Sequence, residues 1–314
     1  MKLRHIISAN QFDKKTIQTI FTIADKVQSK NTFNNRLKGK IMATLFYEPS
    51  TRTRLSFESS ILRLGGSVIT TESASEFSSA AKGETLEDTI RVVNSFADVI
   101  VLRHFNEGAS EIAANYSKVP IINAGDGKGE HPSQALLDLY TIFSKFKTKQ
   151  KKSKDIDLDI TISMVGDLKN GRTIHSLTIL LSLFPRVKFM FISPKALAIP
   201  IYIKKILDEK KISYQEIANL EKALGNSDVI YQTRVQKERF KNLKEYNKFK
   251  NLLILDKNSL TRMKKDAIIM HPLPRINEIT KDVDDDPRAM YFKQVQNGLF
   301  VRMALLVYLF DKEA

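Results

Sequence analysis

With 314 residues, 42% of them hydrophobic and 27% charged, the chain has a globular rather than a disordered composition and the length for two domains with sizeable cores. The absence of cysteine excludes a disulfide framework and a thiolate metal site, and with no signal-like apolar run in MKLRHIISANQFDKK and no stretch approaching a membrane span, a cytoplasmic enzyme is expected. A net charge of +15 raises nucleic acid as a partner, but the lysines are scattered and their densest run, residues 145–154 (KFKTKQKKSK), reads as a solvated helix end and linker, leaving positive charge suited to small anionic substrates.

In chain order, residues 8–11 form a plausible cap before an amphipathic helix that ends near Ser29. Residues 41–47 (IMATLFY) are an apolar, partly β-branched run and predict a buried strand. The helical spacing of Leu55, Ile61, Leu62 and Leu64 predicts a helix over 56–64. Between strand and helix stand Ser50, Thr51, Arg52, Thr53 and Arg54. A helix N-terminus with free N–H groups favours an anion, and these hydroxyls and two guanidinium groups add donors suited to phosphate. A capped helix with surface arginines is the plainer alternative. A short strand over 67–71, an exposed polar loop over 72–83 and a helix over 85–96 capped by Thr85 come next.

A pattern then repeats, each predicted strand ending in polar residues. Strand 98–102 (DVIVL) ends in Arg103-His104, and 119–123 (VPIIN) leads through a Gly-rich loop to His131-Pro132-Ser133-Gln134 and a helix over 135–143. Strand 159–165 ends in GDLKNGR with a helix from Thr173, 187–192 ends in Ser193-Pro194, 228–232 in Thr233-Arg234-Val235-Gln236, and 267–270 in His271-Pro272-Leu273-Pro274-Arg275. Strands alternating with helices imply parallel sheets, whose ligands bind beyond the carboxyl ends of the strands. The predicted fold is α/β, two domains, each a mainly parallel sheet flanked by helices. No G-x-x-x-x-G-K-[ST] and no G-x-G-x-x-G occurs, which argues against a P-loop and a nucleotide cofactor.

The stretch Tyr47-Glu48-Pro49-Ser50-Thr51-Arg52-Thr53-Arg54-Leu55-Ser56-Phe57-Glu58 resembles the carbamoyl-phosphate signature of the aspartate and ornithine carbamoyltransferases. The resemblance spans essentially the full length, with the motifs in the family's order. It implies that Ser50, Thr51, Arg52, Thr53, Arg103, His131, Gln134, Pro272 and Leu273 bind carbamoyl phosphate. His131 and Thr53 would polarise the carbonyl, Gln134 would contact the carbamoyl amide, and Arg52 would assist phosphate departure. Arg103 and His131 could otherwise be a surface arginine and an ordinary loop histidine. Lys82, by default an exposed lysine, resembles with Ser78 a family loop that reaches a neighbouring subunit's site, although Ala80-Ala81 departs from the family's richer Gly/Lys pattern. The resemblance makes Arg52, Thr53, Lys82, Arg103 and His131 the catalytic set, with Lys82 a point charge on the phosphate beside Arg52, Thr53 and Arg103; Arg172, Arg234, Gln236 and Lys82 would hold aspartate, whose two carboxylates suit two arginines. Glu48 would pair with second-domain arginines on closure.

Two prolines around Leu273 predict an extended backbone whose carbonyls can accept hydrogen bonds. Ornithine enzymes place a cysteine after the matching histidine; this chain has Pro272, so H-P-L-P-R resembles the aspartate branch. The reaction then expected is transfer of the carbamoyl group of carbamoyl phosphate to L-aspartate, giving N-carbamoyl-L-aspartate and phosphate, an early step of de novo pyrimidine synthesis. No cofactor and no metal are expected, because the substrate amine is the nucleophile. The resemblance also implies a homotrimer with shared active sites at the carboxyl ends of the strands, between domains and at a subunit interface, and leaves a regulatory chain open. Residues 1–132 plus 289–314 are expected as the carbamoyl-phosphate domain, 150–288 as the aspartate domain and 133–149 as connecting helix and linker. An ornithine-type enzyme, a nucleic-acid-binding protein and a catalytically dead partner protein are the rival readings.

Overall fold

The computed structural model describes residues 4–29, 34–72, 83–146 and 156–311. The chain divides into two compact units, residues 1–140 with 296–314, and residues 141–295. Each is built on one parallel sheet with helical connections, as parallel strands require.

In the first unit, strands β1 (Ile41–Phe46), β2 (Ser67–Glu72), β3 (Val99–His104) and β4 (Ile121–Asp126) lie in the order β2-β1-β3-β4. The helices are α1 (Lys14–Ser29), α2 (Thr51–Arg63), α3 (Leu86–Val93) and α4 (Ala109–Tyr116), followed by α5 (Pro132–Phe146). Ala43, Leu45, Ile100, Leu102 and Ile121 pack with Ile90 and Ala113 in one cluster, while the alternate residues Met42, Val99 and Val101 are also buried. Burial on both faces is why β1 and β3 are continuous apolar runs rather than alternating ones.

In the second unit, β5 (Thr161–Val165), β6 (Lys188–Ile192), β7 (Tyr214–Ile217), β8 (Val229–Gln232) and β9 (Ile268–Met270) lie in the order β7-β6-β5-β8-β9. Its helices are α6 (Arg172–Leu181), α7 (Ile201–Glu209), α8 (Glu221–Leu224), α9 (Leu243–Asn247) and α10 (Lys257–Arg262). The last helix, α11 (Tyr291–Phe310), starts in this unit and returns the chain to the first. Val165, Ile192, Ile230 and Ile269 form the core with Leu224, Leu260 and Tyr291.

Several elements differ from expectation. The helix expected over 56–64 begins at Thr51, because the polar turn 51–54 is already helical although it carries no apolar spacing. The helix expected over 135–143 runs from Pro132 to Phe146, with Pro132 in its first position. Strand β7 (YQEI) went unread: it is an edge strand, exposed or half-buried along its length, and so has no apolar run. The loop expected over 72–83 and the linker over 146–154 lie almost wholly outside the described residues. No described helix is long and apolar enough to cross a membrane.

Candidate active site

Both strand orders contain a reversal point, between β1 and β3 in the first unit and between β5 and β8 in the second. At such a point the connections leave in opposite directions and open a crevice beyond the strand carboxyl ends. Most of the residues singled out by the sequence stand at these two places.

In the first unit, β1 delivers Ser50 as the N-cap of α2, in extended conformation and without a side-chain capping bond. Thr51, Arg52 and Thr53 form the first turn, which contains no acidic residue; Arg52 is exposed and Thr53 is buried. The unopposed positive end of the helix dipole therefore faces this turn. Arg54 does not add a second guanidinium there. It is drawn back along the helix to Glu58 (3.7 Å) and to Thr70 Oγ1 (3.3 Å), and Glu58 also accepts from Thr44 and Thr70. An i,i+4 carboxylate accounts for that turn-back.

On β3, Arg103 is the register partner of Phe46, the last residue of β1, which brings it to the end of the sheet from which the β1–α2 turn leaves. Its Nη1 donates to the Ala124 carbonyl at 3.3 Å, and Nη2 lies 2.8 Å from Glu48 Oε2. Glu48, expected to serve arginines of the other domain, is thus paired here with an arginine of its own unit. Behind Arg103, burial holds the His104 imidazole below its ordinary pKa against the opposing charge of Asp126. Asn106 N–H donates to His104 Nδ1 at 3.0 Å, which assigns the remaining proton to Nε2.

The loop after β4 is closed by Asp126, which accepts from Gly108 N–H (3.1 Å) and Glu130 N–H (2.8 Å). Gly127 is required there: φ is +46° and a Cβ would come within 2.6 Å of the Phe105 carbonyl. This turn sets His131 at the start of α5, buried, with its carbonyl accepting from Gln134 and Ala135 N–H at 3.0 Å. Ser133 Oγ lies 3.4 Å from His131 Nδ1. Gln134 donates from Nε2 to Asp138 Oδ1 at 2.9 Å.

In the second unit, Gly166 ends β5 with φ +114°, and a Cβ there would collide with the Thr233 carbonyl at the end of β8. This close approach joins the turn carrying Arg172 to the one carrying Arg234. Gln236 Nε2 donates to Asn170 O at 2.9 Å, and the buried Asp167 carboxylate accepts from Asn170. Burial pushes the Asp167 carboxyl above its usual range despite those donors. His175 Nε2 meets the Leu168 carbonyl at 2.7 Å and Tyr202 OH meets Nδ1 at 2.9 Å, so a neutral imidazole pins the β5–α6 turn. Arg172 opens α6. Both arms of the Arg234 guanidinium engage Glu238, with Nη1 at 3.0 Å from Oε2 and Nη2 against Oε1.

The H-P-L-P stretch is not extended as expected. Leu273 has φ +55°, and its N–H donates back to His271 Nδ1 at 2.7 Å. The opposite nitrogen of the buried His271 meets Glu278 Oε1 at 2.8 Å, and His271 N–H donates to Gln294 Oε1 at 3.0 Å. A side chain, not the two prolines alone, sets this turn and the direction of the Pro272 and Leu273 carbonyls. Ser78 and Lys82 lie outside the described residues. Among the described residues there is no cluster of three or more His, Asp or Glu that could hold a metal. Sequence reasoning missed Asp138 and Glu238; each stands four residues after the group it holds, on one helical or helix-like turn, which is a readable spacing.

Residues 4–144 match the carbamoyl-P binding domain of aspartate/ornithine carbamoyltransferase, and residues 158–309 match its Asp/Orn binding domain. The chain belongs to the aspartate/ornithine carbamoyltransferase family. Among curated members, it is 52% identical over 309 residues to the chloroplastic aspartate carbamoyltransferase of Arabidopsis thaliana, covering 97% of this chain and 77% of that one. The catalytic subunit of M. jannaschii aspartate transcarbamoylase superposes with a TM-score of 0.88 at 48% identity, covering 99% of this chain and 100% of that one. The Trypanosoma cruzi aspartate transcarbamoylase in complex with carbamoyl phosphate and aspartate gives a TM-score of 0.90 at 40% identity, covering 99% and 98%. The two reversal points of this carbamoyltransferase fold therefore lie one in each family domain.

Proposed function

We propose that this chain is an aspartate carbamoyltransferase, moving the carbamoyl group of carbamoyl phosphate to the amine of L-aspartate. The observation that carries the reading is the pairing, at the reversal point of the first unit, of an acid-free helix N-terminus with Arg103. The relatives are named aspartate carbamoyltransferase, and one is solved with carbamoyl phosphate and aspartate. Arg172 and Arg234 at the second reversal point suit a dicarboxylate acceptor, where ornithine would offer a cation.

In the reaction, the aspartate amine attacks the carbamoyl carbon, a C–N bond forms, and the C–O bond to phosphate breaks. Arg103, His131 and Thr53 stabilise the oxyanion, because preorganised donors cost no reorganisation when charge develops. Arg52, with Ser50 and Thr51 on the same helix turn, takes the charge of the departing phosphate. Gln134 and the Pro272 and Leu273 carbonyls hold the carbamoyl NH2. Arg172, Arg234 and Gln236 orient aspartate, Glu238 keeping the Arg234 fork in one plane. The amine proton leaves with phosphate, which becomes basic as it departs. Residues 1–132 plus 289–314 serve carbamoyl phosphate and 150–288 serve aspartate.

The assembly belongs to the same proposal: a cytoplasmic homotrimer in pyrimidine synthesis, with Ser78 and Lys82 acting in a neighbouring subunit's site. Glu48 exchanges partners on closure. A solution mass of three times the 35.8 kDa chain, and regained activity on mixing Arg52→Ala with Lys82→Ala protein, are the expected results. A monomer, or no regained activity, would remove the shared site. Copurification tests for a regulatory chain.

The primary test is phosphate release from carbamoyl phosphate with L-aspartate or L-ornithine, each product identified by mass. Turnover with aspartate alone is expected. Turnover with ornithine alone would overturn the acceptor assignment, and none with either would favour a dead partner protein.

A further inference from the structure

The geometry points to Asp138 as the positioning residue that decides which end of the Gln134 amide meets the carbamoyl group, and so selects a carbamoyl over an acetyl group. This rests on the carbamoyl-phosphate reading above. Asp138 is fully buried in α5, and its carboxylate receives Gln134 Nε2 at 2.9 Å. A carboxylate can only accept, so the amide nitrogen must face it and Oε1 must take the other direction.

Arg302 of α11 bears on Asp138 through its charge. Its guanidinium is buried, and its charge and that of Asp138 act on one another. It is held by Ser56 Oγ at 2.8 Å and stands over the Phe57 ring at 5.1 Å. Gly298, one turn earlier on α11, leaves room for this guanidinium: a Cβ there would stand 2.9 Å from Arg302 Nη1. The mechanism gives Arg302 and Asp138 no other task.

The chemical consequence concerns one group. Carbamoyl and acetyl phosphate share the carbonyl and phosphate, but NH2 replaces CH3. Donors such as His131 and Arg103 read the shared carbonyl. Only an acceptor reads the NH2, and an unanchored glutamine amide presents donor and acceptor equally well. A flipped Gln134 would set NH2 against NH2.

Asp138→Asn makes the prediction sharp. An asparagine NH2 can donate where the carboxylate could only accept, so Gln134 is no longer forced to turn Nε2 toward residue 138. Gln134 can then offer Oε1 to residue 138 and present Nε2 to the substrate. Equilibrium binding of carbamoyl phosphate and of acetyl phosphate is measured on the full chain. The preference for carbamoyl phosphate should fall about tenfold or more, chiefly by weaker carbamoyl phosphate binding. In a Gln134→Ala background the same substitution should move the preference by less than about twofold. Because the lone Asn leaves Arg302 without its counter-charge, Asp138→Asn with Arg302→Met is made in parallel; it removes both charges and should lose an intermediate share of the preference. Equal weakening of both ligands, or an unchanged preference in whichever variant folds, overturns the inference. Wild-type protein that binds neither phosphate overturns both readings. Wild-type protein that binds carbamoyl phosphate but transfers nothing to aspartate sinks only the function, since the preference is read from binding.

Discussion

Arg103 and Glu48 hold each other beside the β1–α2 turn: Nη2 lies 2.8 Å from Oε2, and Nε–H donates to the Glu48 backbone oxygen at 3.2 Å. The side-chain pair is partly exposed, so its own contribution to stability is small. Its importance is competitive, because the same guanidinium is assigned to the substrate. Glu48→Gln should tighten carbamoyl phosphate binding by about two- to fivefold, the scale of a surface ion pair. If Glu48 also serves closure, the aspartate KM rises in the same variant. Titration of each substrate separately checks both, and an unchanged aspartate saturation curve removes the closure role.

Arg52 makes a plainer case. It stands in the first turn of α2, while Arg54 is turned back to Glu58. Arg52→Ala should lower kcat by about 10²- to 10³-fold, as loss of one transition-state donor does. Arg54→Ala should act on stability first. A kcat loss under about threefold for Arg52→Ala contradicts the assignment.

Gly166 tests the geometry of the second unit. With φ at +114° and the Thr233 carbonyl in the place of a Cβ, Gly166→Ala must push the ends of β5 and β8 apart. We expect a destabilisation of about 1–3 kcal/mol from backbone strain alone, read by urea unfolding. The aspartate KM should rise, because Arg172 and Arg234 lie on those two turns. Carbamoyl phosphate binding should change far less. Equal losses for both substrates would argue against this division of labour.

The clamp under Leu273 predicts a pH dependence. Burial works to raise the Glu278 pKa, but the hydrogen bonds it accepts from His271 Nε2–H and from the Ile276 and Asn277 backbone N–H groups outweigh it and hold the carboxyl below its usual range. A depressed folded pKa stabilises fully above the unfolded value, about 4.3 for glutamate, and that stability is lost as pH falls through the folded value. Thermal midpoints from pH 6 down to 3 should therefore fall more steeply for wild type than for Glu278→Gln. Parallel curves would remove Glu278 from the acid transition.

What the sequence determined by itself was the set of parts. The central strands were readable because burial on both faces makes them apolar runs; the edge strand Tyr214–Ile217 was not, since it pairs on one side and needs no such run. The β1–α2 turn was readable as a candidate anion site because a strand, a proline and a cluster of hydroxyl and guanidinium groups occur together. The pairs Gln134–Asp138 and Arg234–Glu238 were within reach, since four residues of helix-like chain bring side chains together without help from the rest of the fold. Arg103 beside Glu48, Arg302 on Ser56 Oγ, and the Gly166–Thr233 contact depended on strand order and helix packing. So did the direction of Leu273, which His271 imposes through a side-chain acceptor. These relationships join segments far apart in the chain, where local propensity carries no information and only the minimum of the whole packed structure decides who meets whom.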